Sequence, residues 1–432
     1  MIPSFQDVKH FRAPTTGKLI DIIVPLIMDA EYHALELIRF GAVYVDRVRE
    51  TSPDATVPSN AYVRIHTKPR RFPMASKVDW NQRVVHASND FVLINKPGGV
   101  PVHASTDNML ETCVAEVGRL VGCSLHPLHR LDVPTHGLLA LGKTPEFSAH
   151  FCAMMRQGQV RKEYLTLTYR APPLGLMLHW MKPSERSPKV VEREAPEENW
   201  QECKLVVKAV HPLTETQLSE SARQVIAAQK IQNSPVVGTT PGSVQTMPTE
   251  SACTFEVRIE LLTGRTHQIR AQLSKEGYHI VGDAMYPPHD PSAADASDGA
   301  AADESSHAKT LAREMEVEGT LALQAVRMRF PRMGAVPQGE GESAGRGGRK
   351  YVKLSKRQRR EARVREAEES QLRPVQPPPG AAADLDACPP AASDGGGCAE
   401  AAGGSQLYGE DDMLSFELGC PWWRVTEAAA GR

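Results

Sequence analysis

The sequence predicts an α+β protein with two or three folded units. Apolar runs of strand length recur between residues 80 and 330, and only a few segments among them keep helical spacing. The chain has 432 residues, of which 41% are hydrophobic. It is therefore long enough to bury a sizeable core and longer than one average domain.

A small N-terminal unit is expected within residues 1–75. Its helix begins at Ala34 and ends at Gly41, because glycine commonly closes a helix. Short strands are expected at Val43–Val45 and Tyr62–Ile65. This order, followed by a basic segment, resembles an S4-like RNA-binding unit. The resemblance implies four RNA-contacting residues: Arg39, Lys68, Arg70 and Arg71.

The main domain is expected within residues 80–330. Its predicted strands are apolar or alternating runs: Val84–Val85, Phe91–Asn95, Leu138–Gly142, Val160–Thr168, Lys204–Val210, Thr254–Leu262 and Leu321–Phe330. Thr144 is suited to cap a helix that ends at Gly158. A second helix is expected at Thr266–Glu276, with His267 and Arg270 on the side away from its apolar residues.

Three stretches differ in composition and are expected to be insertions. Residues 211–250 are polar and include a helical pattern near Thr214–Gln232, and residues 289–310 are rich in Ala, Asp and Ser. Residues 331–410 lack the apolar periodicity that a packed core needs, so disorder is expected there. Residues 411–432 return to a core-like composition, and we expect them to dock on the main domain.

Composition excludes several protein classes. The formal net charge is −2, which excludes a globally basic nucleic-acid coat, and eight cysteines are too few for a disulfide scaffold in this length. No apolar run reaches the length of a membrane span, and the N-terminus lacks the apolar core of a secretory signal. An intracellular location is expected: cytoplasm, nucleus, plastid or mitochondrion.

Four short motifs carry the candidate chemistry, and each has an ordinary structural explanation when taken alone. His129-Arg-Leu-Asp132 could be a salt-bridged loop, and Gly264-Arg-Thr-His-Gln-Ile-Arg270 could be a solvated helix face. Arg161-Lys-Glu-Tyr164 could hold a half-buried strand tyrosine. Asn95-Lys-Pro-Gly-Gly is expected to be a structural turn.

Taken together, these motifs resemble those of the RluA family of pseudouridine synthases. The resemblance implies a mixed, largely antiparallel central sheet. It also implies isomerisation of uridine to pseudouridine within RNA, with RNA as the partner and no cofactor, metal or membrane. A monomer is expected.

The resemblance also assigns roles to individual residues. Asp132 matches the catalytic aspartate, Arg270 matches the residue that pairs with it, and Tyr164 matches the aromatic residue that stacks on the base. Arg130 matches the residue that fills the space left by the flipped nucleotide. The supporting residues are His129, Arg265 and His267.

The sequence departs from the family pattern at two positions. His136 stands where serine is usual in the Thr-x-Gly turn, and Gln324 replaces a common histidine. Neither change removes a residue that the chemistry needs. Residues 346–365 carry many Lys and Arg residues, so they are either an auxiliary RNA arm or nuclear address, or a solvated helix.

Two rival functions remain open from the sequence. The first is a non-catalytic RNA-binding protein or RNA chaperone with the same fold. The second is a metal-dependent nucleobase deaminase, which needs an H-x-E and a P-C-x-x-C motif, and neither motif is present.

Overall fold

The computed structural model describes residues 7–27, 32–184, 186–195, 199–232, 254–286, 320–332, 405–408 and 413–425. The predicted insertion at 289–310 and the basic segment at 346–365 lie outside the described residues, as does most of 331–410. Within the described ranges, no helix is both long and apolar enough to cross a membrane.

The N-terminal unit contains a four-stranded antiparallel sheet with the order β1-β6-β3-β4. Its elements are β1 (Val8–Arg12), β2 (Gly17–Lys18), α1 (Leu19–Ile23), α2 (Ala34–Arg39), β3 (Val43–Val45), β4 (Val48–Arg49), β5 (Thr56–Val57) and β6 (Tyr62–His66). Leu37 of α2 and Ile65 of β6 belong to a core that this unit buries by itself. The chain leaves α2 at Gly41 with a φ of +69°, which favours glycine.

The main domain is built on a 12-stranded sheet. Its elements are α3 (Met74–Lys77), β7 (Val84–Ala87), β8 (Phe91–Lys96), α4 (Cys113–Val121), β9 (His126–Pro127), β10 (His136–Gly142), α5 (Pro145–Arg156), β11 (Arg161–Thr168), β12 (Gly175–Met181), β13 (Val191–Glu192), β14 (Gln201–Leu213), α6 (Glu220–Gln232), β15 (Thr254–Leu261), α7 (Gln268–Lys275), β16 (Leu323–Pro331), β17 (Ser405–Tyr408) and β18 (Met413–Glu417).

The main path of this sheet runs β13-β12-β14-β15-β11-β16-β10-β8-β7. Among the described strands, β10 and β16 form a parallel pair and the other pairs are antiparallel. The predicted α+β class with a mixed, largely antiparallel sheet is thereby confirmed. Gly137 of β10 lies so close to the backbone of Ala325 that any side chain there would collide with it. This contact explains the glycine of the Thr-x-Gly turn.

Helix α5 forms as its sequence predicts. The Thr144 side chain accepts a hydrogen bond from the N–H of Phe147, and Pro145 occupies the first helical position. The ring of Phe147 stacks on Phe91 of β8 with centroids 4.8 Å apart. Helix α5 therefore packs on β8, and its Met155 also lines the pocket described below.

Helix α7 begins two residues later than predicted, at Gln268, because His267 adopts a left-handed backbone with a φ of +57°. Every residue from Gln268 to Leu273 is buried. The alternative of a solvated helix face therefore does not hold for Arg270, which is buried and paired with an acid as a core-facing polar side requires.

The segment after residue 412 adds to the main sheet. Strand β18 pairs with β16, and Trp423 is fully buried among apolar residues of β11, β16 and α6. The indole Nε1 of Trp423 donates a hydrogen bond to Glu256 at 3.0 Å. This segment is thus part of the folded main domain.

A buried lysine fixes the loop that carries Asp132. The Nζ of Lys96, at the end of β8, donates hydrogen bonds to the carbonyl oxygens of Pro97, Val133 and Thr135 at 2.8–2.9 Å. Burial lowers the pKa of Lys96 to about 8. The segment that follows Asp132 is consequently tied to the end of β8 by two hydrogen bonds from a single ammonium group.

Two buried carboxylates of the main domain hold the N-terminal unit. Glu111 accepts hydrogen bonds from the Arg71 guanidinium and from the N–H of Phe72. Asp107 accepts from the N–H of Arg70 and faces its guanidinium at 3.3 Å. The segment after β6 is therefore anchored on the main domain by its own arginines.

Replacing Trp423 with alanine should destabilise the protein. A buried tryptophan that is cut back to alanine typically costs about 3–5 kcal/mol. Urea denaturation followed by circular dichroism measures the loss. Leu174→Ala is the control, because Leu174 is exposed and should change the free energy of unfolding by less than about 0.5 kcal/mol. Equal urea midpoints for Trp423→Ala and wild type would contradict the docking of this segment.

Replacing Lys96 with methionine should also destabilise the protein. The buried carbonyl groups of Pro97 and Thr135 lose their donor, whereas that of Val133 keeps the N–H of Gly99. Each unsatisfied buried group costs about 1–3 kcal/mol. A loss of about 2 kcal/mol or more in the free energy of unfolding at pH 7 is expected. The control is Lys77→Met, which removes an exposed lysine. A Lys96→Met protein as stable as the control would show that the loop does not need this ammonium.

Candidate active site

The motifs that lie far apart in sequence meet at one pocket of about 210 Å³. The loop before β10, strand β11 and the turn into α7 form its walls. Asp132, Tyr164 and Arg270 all line it, so the structure brings together the three residues predicted to be catalytic. The supporting residues His129, Arg265 and His267 line the same pocket.

Arg270 is the most buried charged group of the pocket, with 1% of its side chain exposed. Its Nε and Nη2 donate hydrogen bonds to the two carboxylate oxygens of Asp283, each at 2.8 Å. Its Nη1 lies 3.9 Å from an oxygen of Asp132. The planar guanidinium therefore binds Asp283 through one edge, and we call this pair of hydrogen bonds the fork. Because the group is rigid, the fork also fixes the position of Nη1, which faces Asp132.

Asp132 projects into the pocket from the loop that Lys96 holds, and 15% of its side chain is exposed. The Nε2 of His267 lies 3.9 Å from its second oxygen. Burial lowers the pKa of His267 although Asp132 acts in the opposite direction, so the imidazole is neutral at pH 7. The carboxylate is thus flanked by one permanent cation and one neutral ring, at distances that leave it accessible to a ligand.

Tyr164 lines the pocket from β11 and is 4% exposed. Burial, with a further contribution from Asp132, raises the pKa of its phenol. The side chain therefore stays protonated at neutral pH. Its ring offers a flat apolar surface on which a planar group can stack.

His129 supports the backbone of the pocket, whereas the two exposed arginines of the pocket face solvent. The Nε2 of His129 accepts a hydrogen bond from the N–H of Ala140, and burial lowers the pKa of His129 to about 3. A neutral His129 consequently supports the start of the loop. Arg130 and Arg265 line the pocket and are exposed to solvent, where they can reach phosphate groups.

The two departures from the family pattern lie side by side. His136 and Gln324 are partners in the parallel pairing of β10 and β16. The Nδ1 of His136 accepts a hydrogen bond from the N–H of Gly98, and its ring lies 6.0 Å from that of Trp422. His136 therefore joins the turn after β8 to the C-terminal segment.

The four basic residues predicted to contact RNA fall into two groups. Arg39 and Lys68 are exposed, and Lys68 lies 3.6 Å from Asp7. Arg70 and Arg71 instead face buried carboxylates, and the Arg71 guanidinium also lies over the ring of Phe40 at 4.5 Å. The last two arginines are thus engaged between the two parts of the molecule and remain half-exposed.

Three residues of the site were missed from the sequence. Asp283 and Tyr286 follow α7 in a turn, and the ring of Tyr286 lies under the Arg270 guanidinium at 5.2 Å. The sequence did offer a signal for these two residues, since an acidic and an aromatic side chain follow the predicted helix closely. Lys162, two residues before Tyr164, also lines the pocket. Among the described residues, no three His, Cys, Asp or Glu side chains are grouped closely enough to hold a metal ion.

Comparisons with known proteins show similarity to one family of RNA-modifying enzymes. Residues 90–275 match the family model described as RNA pseudouridylate synthase. The chain is 33% identical over 240 residues to RNA pseudouridine synthase 6, chloroplastic, of Oryza sativa subsp. japonica, covering 55% of this chain and 46% of the relative. Identity to the protein of the same name in Arabidopsis thaliana is 29% over 243 residues, covering 56% and 48%. The chain thus spans about half the length of these two relatives.

A solved structure, Human RNA Pseudouridylate Synthase Domain Containing 4, aligns with 60% of this chain and 87% of its own, at 19% identity and a TM-score of 0.37. The family match covers the segments that supply Asp132, Tyr164 and Arg270. It confirms the resemblance to the RluA family that the four motifs indicated. Residues 90–275, a little under half of the chain, are thus similar to the RNA pseudouridylate synthase family.

Proposed function

We propose that this protein is an RNA pseudouridine synthase that isomerises specific uridines within RNA. The observation that carries the proposal is the convergence of Asp132, Tyr164 and Arg270 in one pocket from three separate segments. The match of residues 90–275 to the RNA pseudouridylate synthase family model supports the same activity. The substrate is a uridine in an RNA chain, and the reaction is an intramolecular transfer of the uracil ring.

The geometry suits the chemistry of this transfer. The bond between N1 of uracil and C1′ of ribose breaks, a bond from C5 to C1′ forms, and the proton on C5 is lost while N1 gains one from solvent. The Asp132 carboxylate stabilises positive charge at the ribose or forms a covalent ester there. Arg270 keeps the carboxylate directed into the pocket, because Asp283 holds its other edge.

Base flipping is required by the position of these groups. The pocket is walled on three sides, and Tyr164 at its wall is almost fully buried, so a base within a stacked helix cannot reach it. The flipped uracil stacks on the protonated Tyr164 ring. Arg130, exposed at the pocket, occupies the space that the nucleotide leaves.

The N-terminal unit, residues 1–75, is proposed to be an S4-like RNA-binding module that extends the RNA contact. Arg39 and Lys68 are its exposed basic contacts. Arg70 and Arg71 add positive charge at the junction, although their first partners are Asp107 and Glu111. RNA affinity should therefore fall with rising salt, as it does for proteins that bind phosphates.

A plastid is the proposed compartment, because the two plant relatives carry that location in their names. We propose that the main domain spans residues 80–330, with insertions near 211–250 and 289–310. Residues 331–410 are proposed to be an insertion, and residues 411–432 complete the domain. The β18 strand and the buried Trp423 support the last of these assignments.

Tritium release tests the proposed activity. Wild type is incubated, without added metal, with cellular RNA whose uridines carry tritium at C5, and release of tritium reports loss of the C5 proton. Asp132→Asn should lower the release rate by at least about 100-fold, because the carboxylate acts on the reacting carbon. Both proteins should bind RNA and melt alike. Equal release by both, or RNA binding without release by wild type, would favour a non-catalytic RNA-binding protein.

Asp283→Asn should lower the rate of the chemical step without weakening RNA binding. Asparagine keeps the shape of Asp283 but presents an N–H to the Arg270 donors, so the guanidinium moves away from its place beside Asp132. A displacement of about 1 Å near the reacting groups can cost about 100-fold in rate. Single-turnover tritium release and RNA affinity measure the two effects separately.

The control for this variant is Asp54→Asn, which removes an exposed acid paired with Lys18 in the N-terminal unit. It should leave both the rate and the affinity unchanged. An Asp283→Asn protein that reacts at the wild-type rate would show that the reaction does not depend on the two hydrogen bonds from Arg270 to Asp283.

A further inference from the structure

Lys162 is a buried cation of the pocket that the proposed chemistry does not use. It lies on β11 two residues before Tyr164, and both side chains line the pocket. Only 7% of Lys162 is exposed. Its Nζ lies near Gly264, at the start of the turn that leads to His267 and α7. Lys162 is therefore aimed at the inside of the site from the same strand as the stacking tyrosine.

Within the described part of the chain, Lys162 has neither a carboxylate partner nor a hydrogen-bond acceptor. Burial alone lowers its pKa, to about 8, and no acidic group offsets this effect. The side chain is therefore mostly charged at pH 7. Lys96 is equally buried but has three carbonyl acceptors, which makes the two lysines an informative pair.

The other charged groups of the pocket do not neutralise Lys162. Arg130 and Arg265 are further cations, and His129 and His267 are neutral because burial lowers their pKa values. Asp132 is the one acid among the residues that line the pocket, and it faces Arg270 and His267. The pocket thus holds an excess of positive charge.

The Lys162 side chain is largely buried, and its ammonium opens to the pocket without a partner among the described residues. A cation with so little water around it costs free energy, and proteins rarely keep one without a compensating function. An anion that enters the pocket with the substrate would compensate for it. RNA brings two such anions. One is the phosphate beside the flipped nucleotide, and the other is the uracil ring, which keeps the electron pair of the N1–C1′ bond until C5 attacks C1′.

We propose that Lys162 is the anion-binding residue of this pocket, and that it binds negative charge delivered by the flipped uridine nucleotide. The inference rests on the proposed function, since it names a further residue of the same site. A phosphate would be bound before the reaction and would strengthen substrate binding. A uracil anion exists only after cleavage, so its stabilisation would raise the rate of the chemical step.

The test compares Lys162→Met with Lys162→Arg and wild type. Methionine has a similar size without charge, and arginine keeps the charge. Lys162→Met should melt at or above the wild-type temperature, because it removes a buried charge that has no partner. Lys96→Met is the matched control and should melt lower, because its carbonyl partners lose their donor.

Tritium-release kinetics then separate the two sources of the anion. A rise in KM of about tenfold or more for Lys162→Met supports the phosphate, and a fall in kcat of that size supports the uracil anion. Lys162→Arg should recover part of either loss. Values of KM and kcat within about twofold of wild type in Lys162→Met would overturn the proposal while leaving the proposed function intact.

A second measurement keeps the inference testable if wild type releases no tritium from any RNA. In that case the proposed function fails, and Lys162 is examined by thermal melting in potassium phosphate against potassium chloride of equal ionic strength. Phosphate should stabilise wild type and the exposed control Lys77→Met, and it should stabilise Lys162→Met less. Equal stabilisation of all three proteins would overturn an anion site at Lys162.

Discussion

The buried fork between Arg270 and Asp283 is the interaction on which the site depends. A guanidinium that is 1% exposed needs partners on every edge, and Asp283 supplies two oxygens at 2.8 Å. This leaves Arg270 able to face Asp132 without collapsing onto it, at 3.9 Å. Helix α7, the turn after it and the Asp132 loop are thus held together by one charged group. The carboxylate remains accessible because its counter-ion is fixed elsewhere.

Two buried lysines show how the same residue type serves different ends in one domain. Lys96 donates to the carbonyls of Val133 and Thr135, just after Asp132, and to that of Pro97, and so its charge is used for structure. Among the residues that the structure describes, Lys162 has no such acceptor, and its side chain lines the pocket. The fold must offset the burial of this charge elsewhere, which is typical of functional sites. The two lysines differ in the partners of their ammonium groups and not in pKa, because burial lowers the pKa of each to about 8.

Much of this architecture is predictable from the sequence because it is local. The cap at Thr144 and the strands on either side of Asp132 follow from short-range patterns, and the motifs identify Asp132, Tyr164 and Arg270. Long-range partners are not visible in such patterns. Burial of both sides of α7 depends on elements distant in sequence, so the sequence left a solvated helix face open for Arg270. Likewise, Arg70 and Arg71 form a basic segment in sequence, and only the fold brings Asp107 and Glu111 to them.

The most direct test of the account is a structure of the Asp132→Asn protein bound to a uridine-containing RNA that the wild type modifies. We expect one uridine outside the RNA stack, its ring against Tyr164 and its C1′ beside the side chain at position 132. Arg270 should still hold Asp283. A uridine that stays stacked in the RNA, or that binds away from this pocket, would contradict the assignment of the pocket as the active site.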